Sequence, residues 1–326
     1  VAGTGGTIVI DTTELDRITD GWDQIVFGRS DGTGNLTASA YTWNDDVRFI
    51  TAGGLLTIAG AQAMGANNLT LTTNSNLTLN AALTGSGNLV IDAATASTTI
   101  GLAGGAGTLA LTTAELNQIT DGWASLTFGN ITGTGVVTVA AYTWKDNSTF
   151  ISNGNIAVTG VQSSNASTDV TYVTLNGNFV NSAGATPFSG IGSGGRYLIY
   201  SRAAGTDTYG GFTPPTSISG QTYFSQPPSS IGAGLNRIIY STGAAKILYL
   251  QIDDKTKVYG DTLPTFTYTY LGGLQGGDTL SAALTSATLT ATGAAATDDV
   301  GITRAITGSF STGLGYTVNV VDGTLS

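Results

Sequence analysis

Short aliphatic triplets recur along the first half of the chain at a spacing too small for folds that need crossover helices. Leu69–Leu71, Leu89–Ile91 and Leu109–Leu111 stand about 20 residues apart, as repeat units of a solenoid do. A second series, Leu56–Ile58 and Leu77–Leu79, runs between them at nearly the same spacing. Each triplet puts two aliphatics on one face and a small or polar residue on the other, the two-residue period of a strand. Gly, Asn and Ser fill the gaps and mark turns. The chain is therefore expected to be all-β, with a right-handed parallel β-helix over residues 1–185 whose inward aliphatics stack into one core. About nine coils are expected, roughly 45 Å of rod at an inter-strand spacing of about 4.8 Å. Asn68 and Asn88 precede their strands at the same phase, where stacked amides form a ladder.

A longer repeat contains the short one. Ile18–Trp22 and Ile119–Trp123 are the same pentapeptide, ITDGW, at an offset of 101 residues (Trp22 to Trp123). The alignment runs without a gap over about residues 1–54 and 102–155. Trp22 falls on Trp123, Tyr41 on Tyr142, Trp43 on Trp144 and Phe49 on Phe150. What the copies keep is aromatic, glycine and alternating aliphatic, the residues of packing and turns. Within each copy Glu14 and Glu115 follow Asp11 and Thr112 by three residues. This spacing predicts one or two turns of helix with a capping box, stopped by Gly21 and Gly122. Trp22 and Trp123 are expected to pack this excursion onto the coils. The competing reading, tryptophan as a sugar platform, explains nothing that the hydrophobic pattern leaves over.

Composition narrows the chemistry. The 326 residues contain neither Cys nor His. Disulfides, Cys-ligated metal and every catalytic arrangement that needs an imidazole are excluded. Charged residues make up only 10% and Gly numbers 47, a balance that suits a turn-rich extracellular β protein. The net charge of −10 with 11 Lys and Arg speaks against nucleic acid and against anionic lipid surfaces. No apolar run is long enough for a membrane-spanning helix. The opening VAGTGGTIVI has neither a basic region nor an apolar core, so it does not read as a signal peptide. The chain is expected to begin inside a folded unit and, ending in the strand GTLS, to continue in the native polypeptide.

From about residue 186 the pattern changes. GRYLIYS (Gly195–Ser201) and NRIIYS (Asn236–Ser241) flank a stretch rich in proline and aromatics. Residues 186–246 are expected to be a capping region, hairpin-like strands joined by an irregular loop that covers the open end of the coils. The sharper reading is a ligand face, with Tyr209, Phe212, Tyr223 and Phe224 as candidate contacts. Residues 247–326, with alternation in TFTYTYL, ATLTAT and YTVNVVDGTL, predict a compact β domain.

The motifs GTLALTTAELNQITDGW, LTFGN and GTGVVTVAAYTW resemble the β-helical repeats of large bacterial exoproteins of the filamentous-haemagglutinin type. GRYLIYS with its aromatic-rich loop resembles the segment that ends the β-helix there. VYGDTLPTFTY, GGDTL, DDVG and GYTVNVVDGTL resemble the MBG (mostly β-grasp) modules of their stalks, although VGITRAITGSF lacks the Tyr usual soon after Val-Gly. The resemblance implies a small β-grasp-like domain at 247–326. It also implies a secreted, extracellular or cell-surface protein of adhesive or biofilm-matrix type, and it carries over no catalytic residues; no cofactor or metal ligand is assigned, and no EF-hand-like calcium motif is present.

Three functions follow. The first is a non-enzymatic, rigid adhesin or stalk segment that contacts surface glycans. The second is self-assembly, the chain's own strand edges making it its own partner. The third is a β-helical enzyme that binds or degrades polysaccharide, which would need paired carboxylates. Its candidates, Asp45–Asp46, Asp253–Asp254 and Asp298–Asp299, sit mostly beside turn residues, and the first pair becomes Asp146–Asn147 in the second copy. No catalytic residue is therefore assigned, and Trp22, Trp43, Trp123 and Trp144 are assigned to structure.

Overall fold

The computed structural model describes residues 9–75, 77–242, 246–274, 278–297 and 301–326. Parts of the motifs VAGTGGTIVI, GGDTL and DDVG, and the pair Asp298–Asp299, lie outside the described residues. The fold divides into two compact units, one of residues 1–215 with 222–241, the other of residues 216–221 with 242–326.

The first unit is a parallel β-helix. Its long sheet runs through Ile25–Arg29, Val47–Thr51, Leu69–Thr73, Asn88–Asp92, Ser125–Gly129, Ser148–Ser152, Asp169–Thr174, Arg196–Ser201 and Arg237–Tyr240, every neighbouring pair parallel. A second face carries Leu36–Ala38, Leu56–Ile58 and Leu77–Leu79. It resumes with Leu109–Leu111, Ile100–Leu102, Val137–Val139, Ile156–Val158 and Phe179–Asn181. The third face is made of shorter strands, among them Tyr41–Thr42, Gln62–Ala63, Tyr142–Trp144 and Gln162–Ser164.

The register shows how period-2 triplets become a core. Phe49 lies beside Leu71, Leu71 beside Ile91 and Ile91 beside Phe128. All four are buried, inside one cluster that extends to Tyr240. Phe27 stacks on Phe49 with ring centroids 5.5 Å apart, and the second copy repeats this with Phe128 on Phe150 at 5.6 Å. At the end of the strand, Gly28 and Gly129 adopt φ of +94° and +90°. A Cβ on either would lie 1.9 or 2.2 Å from the carbonyl of Ile50 or Ile151 on the next coil, so the close approach requires glycine.

Polar ladders finish the coils. Asn88 Nδ2 donates to Asn68 Oδ1 at 2.9 Å, Asn68 Nδ2 to Asp46 Oδ2 at 2.7 Å, and Ser125 Oγ to Asn88 Oδ1 at 2.7 Å. The expected Asn68–Asn88 pair is thus the middle of a longer run.

Three expectations need correction. Leu109–Leu111 is not the next rung after Leu89–Ile91. It lies on the second face, paired with Ile100–Leu102 only nine residues before it (Ile100↔Leu109). The next long rung is Leu126, opposite Leu89, because residues 93–124 go out to add an extra strand to the second face and then the helical excursion. For the same reason the long sheet has seven described strands within the first 185 residues rather than about nine, and the strands beyond, Arg196–Ser201 and Arg237–Tyr240, continue it. These last two pair parallel, Ile199 opposite Ile238, and do not form a hairpin.

The second unit has two small sheets. Lys246–Ile252 pairs antiparallel with Tyr268–Gly272 and parallel with Tyr316–Val321. Arg304–Thr312 pairs antiparallel with Leu284–Thr290 and Gly323–Leu325. Leu248, Leu250, Ala283, Leu284 and Tyr316 form one buried cluster, and Ile252, Ala291, Ile306 and Leu325 another. The only helix in this unit among the described residues is the single turn Leu280–Ala283.

Candidate ligand-binding surfaces

The repeated pentapeptide follows a one-turn helix in each copy, Thr12–Leu15 and Thr113–Leu116, each with both halves of the capping box formed. The helices end at Leu15 and Leu116, before the glycines expected to stop them. Gly21 and Gly122 instead turn the chain at φ of +114° and +119°. Their N–H groups donate to the carboxylates of Asp45 and Asp146, 2.9 Å in each copy, and Trp22 N–H joins Asp45 at 2.8 Å. The motif and the acid of YTWxD are therefore one unit, a buried carboxylate receiving the turn's amides.

The two tryptophans of the motif differ. Trp123 is 3% exposed and Trp22 60%. Trp123 lies against Gly85, where an added Cβ would stand 2.8 Å from the ring. The preceding coil also holds the excursion by Thr120 N–H to Leu83 O at 3.1 Å and Ala124 N–H to Gly87 O at 2.9 Å. Among the described residues no coil precedes the first copy, so Trp22 does not pack as expected.

Trp43 and Trp144 are core. Each indole N–H donates to a wholly buried glutamine, Gln62 at 2.9 Å and Gln162 at 3.0 Å. The amide of Gln162 passes on to the carbonyls of Ala140 and Gly160, both at 2.8 Å.

The four aromatics of the proline-rich segment do not form one surface. Phe212, 9% exposed, packs edge-on to Phe188 inside the core. Tyr209 is half-buried, its hydroxyl bonded to those of Tyr240 and to Asp207. Of the four only Phe224 is exposed, at 63%; half-buried Tyr223, its ring centroid 5.5 Å away, rests edge-on against Tyr200. Buried Arg196 holds the segment in place. Its guanidinium binds Asp169 at 2.8 Å and the carbonyls of Pro228, Ile231 and Gly232 at 2.5–2.9 Å.

The two acidic doublets among the described residues are engaged in local structure. Asp46 binds Asn68; Asp253 accepts from Thr267 and Thr269, and Asp254 from Thr324. These threonine hydroxyls hold both second-unit carboxyls below their usual range. Asp146 is shifted the other way, up, first by burial and then by facing Asp121. Among the described residues no group of three or more acids could hold a metal ion. No helix among them is long and apolar enough to cross a membrane.

A groove that sequence reading missed lies beside the second excursion. Its volume is about 790 Å3, and Asn117 and Asp121 from the excursion face Tyr142, Lys145 and Asn165 from the third face across it. The Tyr142 hydroxyl donates to Asn117 Oδ1 at 3.1 Å, and Lys145 Nζ to the Ile119 carbonyl at 3.3 Å. Burial raises the Tyr142 phenol.

Comparison with known proteins bears on the second unit. Residues 248–326 match the family model of the MBG domain (YGX type). The matched span contains Tyr259–Gly260 and both small sheets almost whole. No curated protein and no solved structure matches the chain.

Proposed function

We propose that the chain is a non-enzymatic segment of a secreted bacterial surface protein, a rigid adhesin or stalk piece that mediates cell-surface or biofilm adhesion. The observation that carries this reading is the joining, in one polypeptide, of a repeat-built β-helix with a module matching the MBG domain. A β-helix whose core is continuous from Phe27 to Tyr240 resists bending and presents its outer faces along its length. The resemblance of the first copy and its repeat to filamentous-haemagglutinin-type exoproteins favours the same reading, and the partners are then surface glycans or further copies of the chain.

The test is adhesion itself. Bacteria displaying the whole chain are expected to be retained on host-cell or biofilm surfaces over bacteria displaying an unrelated β-helix. Equal retention would defeat the reading. Negative-stain electron microscopy over a range of concentrations separates isolated particles from filaments and so decides whether the chain is its own partner. Release of reducing ends from polysaccharides incubated with the protein would instead favour the enzyme.

A further inference from the structure

We infer that the groove beside the second ITDGW copy is a binding site for a neutral, hydroxyl-rich glycan. This rests on the adhesive reading above and names a site for it.

The internal repeat separates what the fold needs from what it does not. Both copies keep Tyr41 and Tyr142, Trp43 and Trp144, Gln62 and Gln162, and the acids Asp45 and Asp146. All of these make the same contacts twice. Around the groove the copies part. Lys145 stands where the first copy has Asn44. Asn117 stands where it has Asp16, and Asn165 where it has Gly65, counting from the shared glutamines. The first copy builds the corresponding turn one residue shorter, seven positions from Gln62 to Leu69 against eight from Gln162 to Val170, and has neither the lysine nor either amide, so the coil itself does not depend on them.

These are the groups that a sugar needs. Two amides and a carboxylate offer adjacent donors and acceptors, the pattern that pairs with vicinal hydroxyls. Lys145 adds three donors, and among the described residues it has no ion-pair partner, its one bond being to the Ile119 carbonyl. The Asn165 side chain has no partner among the described residues either. Half-buried Tyr142 supplies an apolar ring held by Asn117, so part of the wall suits the C–H face of a pyranose. The volume, about 790 Å3, falls in the usual range of ligand sites, about 300–1,000 Å3. Asp121, with Asp146 facing it, leaves the one lysine no excess of positive charge, and a chain of net charge −10 repels polyanions at long range. A neutral glycan therefore fits better than an acidic one.

Glycan-array screening of the whole chain, followed by titration of the best neutral oligosaccharide, tests the site. The informative variant is Lys145→Asn, which installs the first copy's residue, with Asn165→Ala, which removes the amide without the backbone freedom of a glycine that the first copy uses at a φ of +55°. Binding is expected to fall by about tenfold or more with thermal unfolding unchanged. Phe224→Ala, on the separate aromatic surface, is expected to leave it intact. Neutral-glycan binding that survives the double variant would overturn the inference while leaving the adhesive reading standing. So would loss on Phe224→Ala alone, which would move the site to the aromatic segment. Binding of acidic glycans only, or of none, would overturn it as well; the adhesive reading then stands or falls on the retention assay.

Discussion

Trp144 Nε1 donates to Gln162 Oε1 at 3.0 Å inside the β-helix core, and one repeat earlier Trp43 and Gln62 make the same bond at 2.9 Å. A glutamine buried among aliphatics would be costly alone. Here its acceptor takes an indole N–H and its donors close two backbone carbonyls at the turn into the third face. Gln162→Leu leaves the buried indole N–H and two half-buried carbonyls unpaired. A loss of about 3 kcal/mol or more is expected, read as a lower urea midpoint. A neutral result would mean that water replaces the amide.

The two tryptophans of the pentapeptide should respond differently. Trp123→Ala removes a ring packed on Gly85 and is expected to cost about 3–5 kcal/mol. Trp22→Ala, at an exposed ring, should stay within about 0.5 kcal/mol. Equal losses in denaturant titrations of the two variants would show that Trp22 is covered in solution.

Asp146 sets a pH dependence. Burial raises its carboxyl, and Asp121 raises it further, against the Gly122 N–H that lowers it. A carboxyl raised on folding costs nothing below its unfolded value. The penalty grows as pH rises from that value, about 3.9, through the folded one, and it is complete above. Asp146→Asn keeps the acceptor for Gly122 and should therefore raise Tm at pH 7 and make the acid-side profile flatter. Asp92 and Asp207, also raised chiefly by burial, retain the rest of the slope. Parallel Tm profiles for variant and wild type would exclude Asp146 as a source.

Arg196 anchors the proline-rich segment. Arg196→Met strands three carbonyls and Asp169, whose side chain is 28% exposed, and a loss of about 3 kcal/mol is expected, the lower end for a buried pair broken from one side. Limited proteolysis is then expected to cut between residues 204 and 235 faster than in the wild type. Unchanged cleavage would show that Phe212 and the Tyr200–Gln226 bond suffice to hold it.

Much of this molecule could be read from residues close in sequence. Leu56–Ile58 and Leu77–Leu79 announce their pairing because nearest coils share a phase, and the capping boxes at Asp11 and Thr112 close over three residues. Leu109–Leu111 misled because its triplet has the right period on the wrong face. An aliphatic triplet states that a strand is half-buried and not which neighbour it meets. Phe212 and Phe224 look alike in sequence, yet one fills the core against Phe188 and Tyr197 and the other projects, a difference set by which coil each meets. The groove was concealed for another reason. Its residues are ordinary Asn, Asp, Lys and Tyr, and they stand out only when the two copies are compared position by position for what one has and the other lacks.

The sequence by itself determined that this chain is a β-helix built twice from one plan, followed by a small β module. Strand period, turn glycines and capping spacing are local properties, and local properties survive translation into a solenoid whose coils meet only their neighbours. It also removed histidine and cysteine chemistry outright. The tertiary structure alone decided which of two identical tryptophans is buried and which aromatics face solvent, and it alone brought Asn117, Tyr142 and Asn165 to one groove. Each of those depends on which coil lies alongside, and a coil's neighbour is about 20 residues away or nearly twice that according to insertions whose path only packing settles.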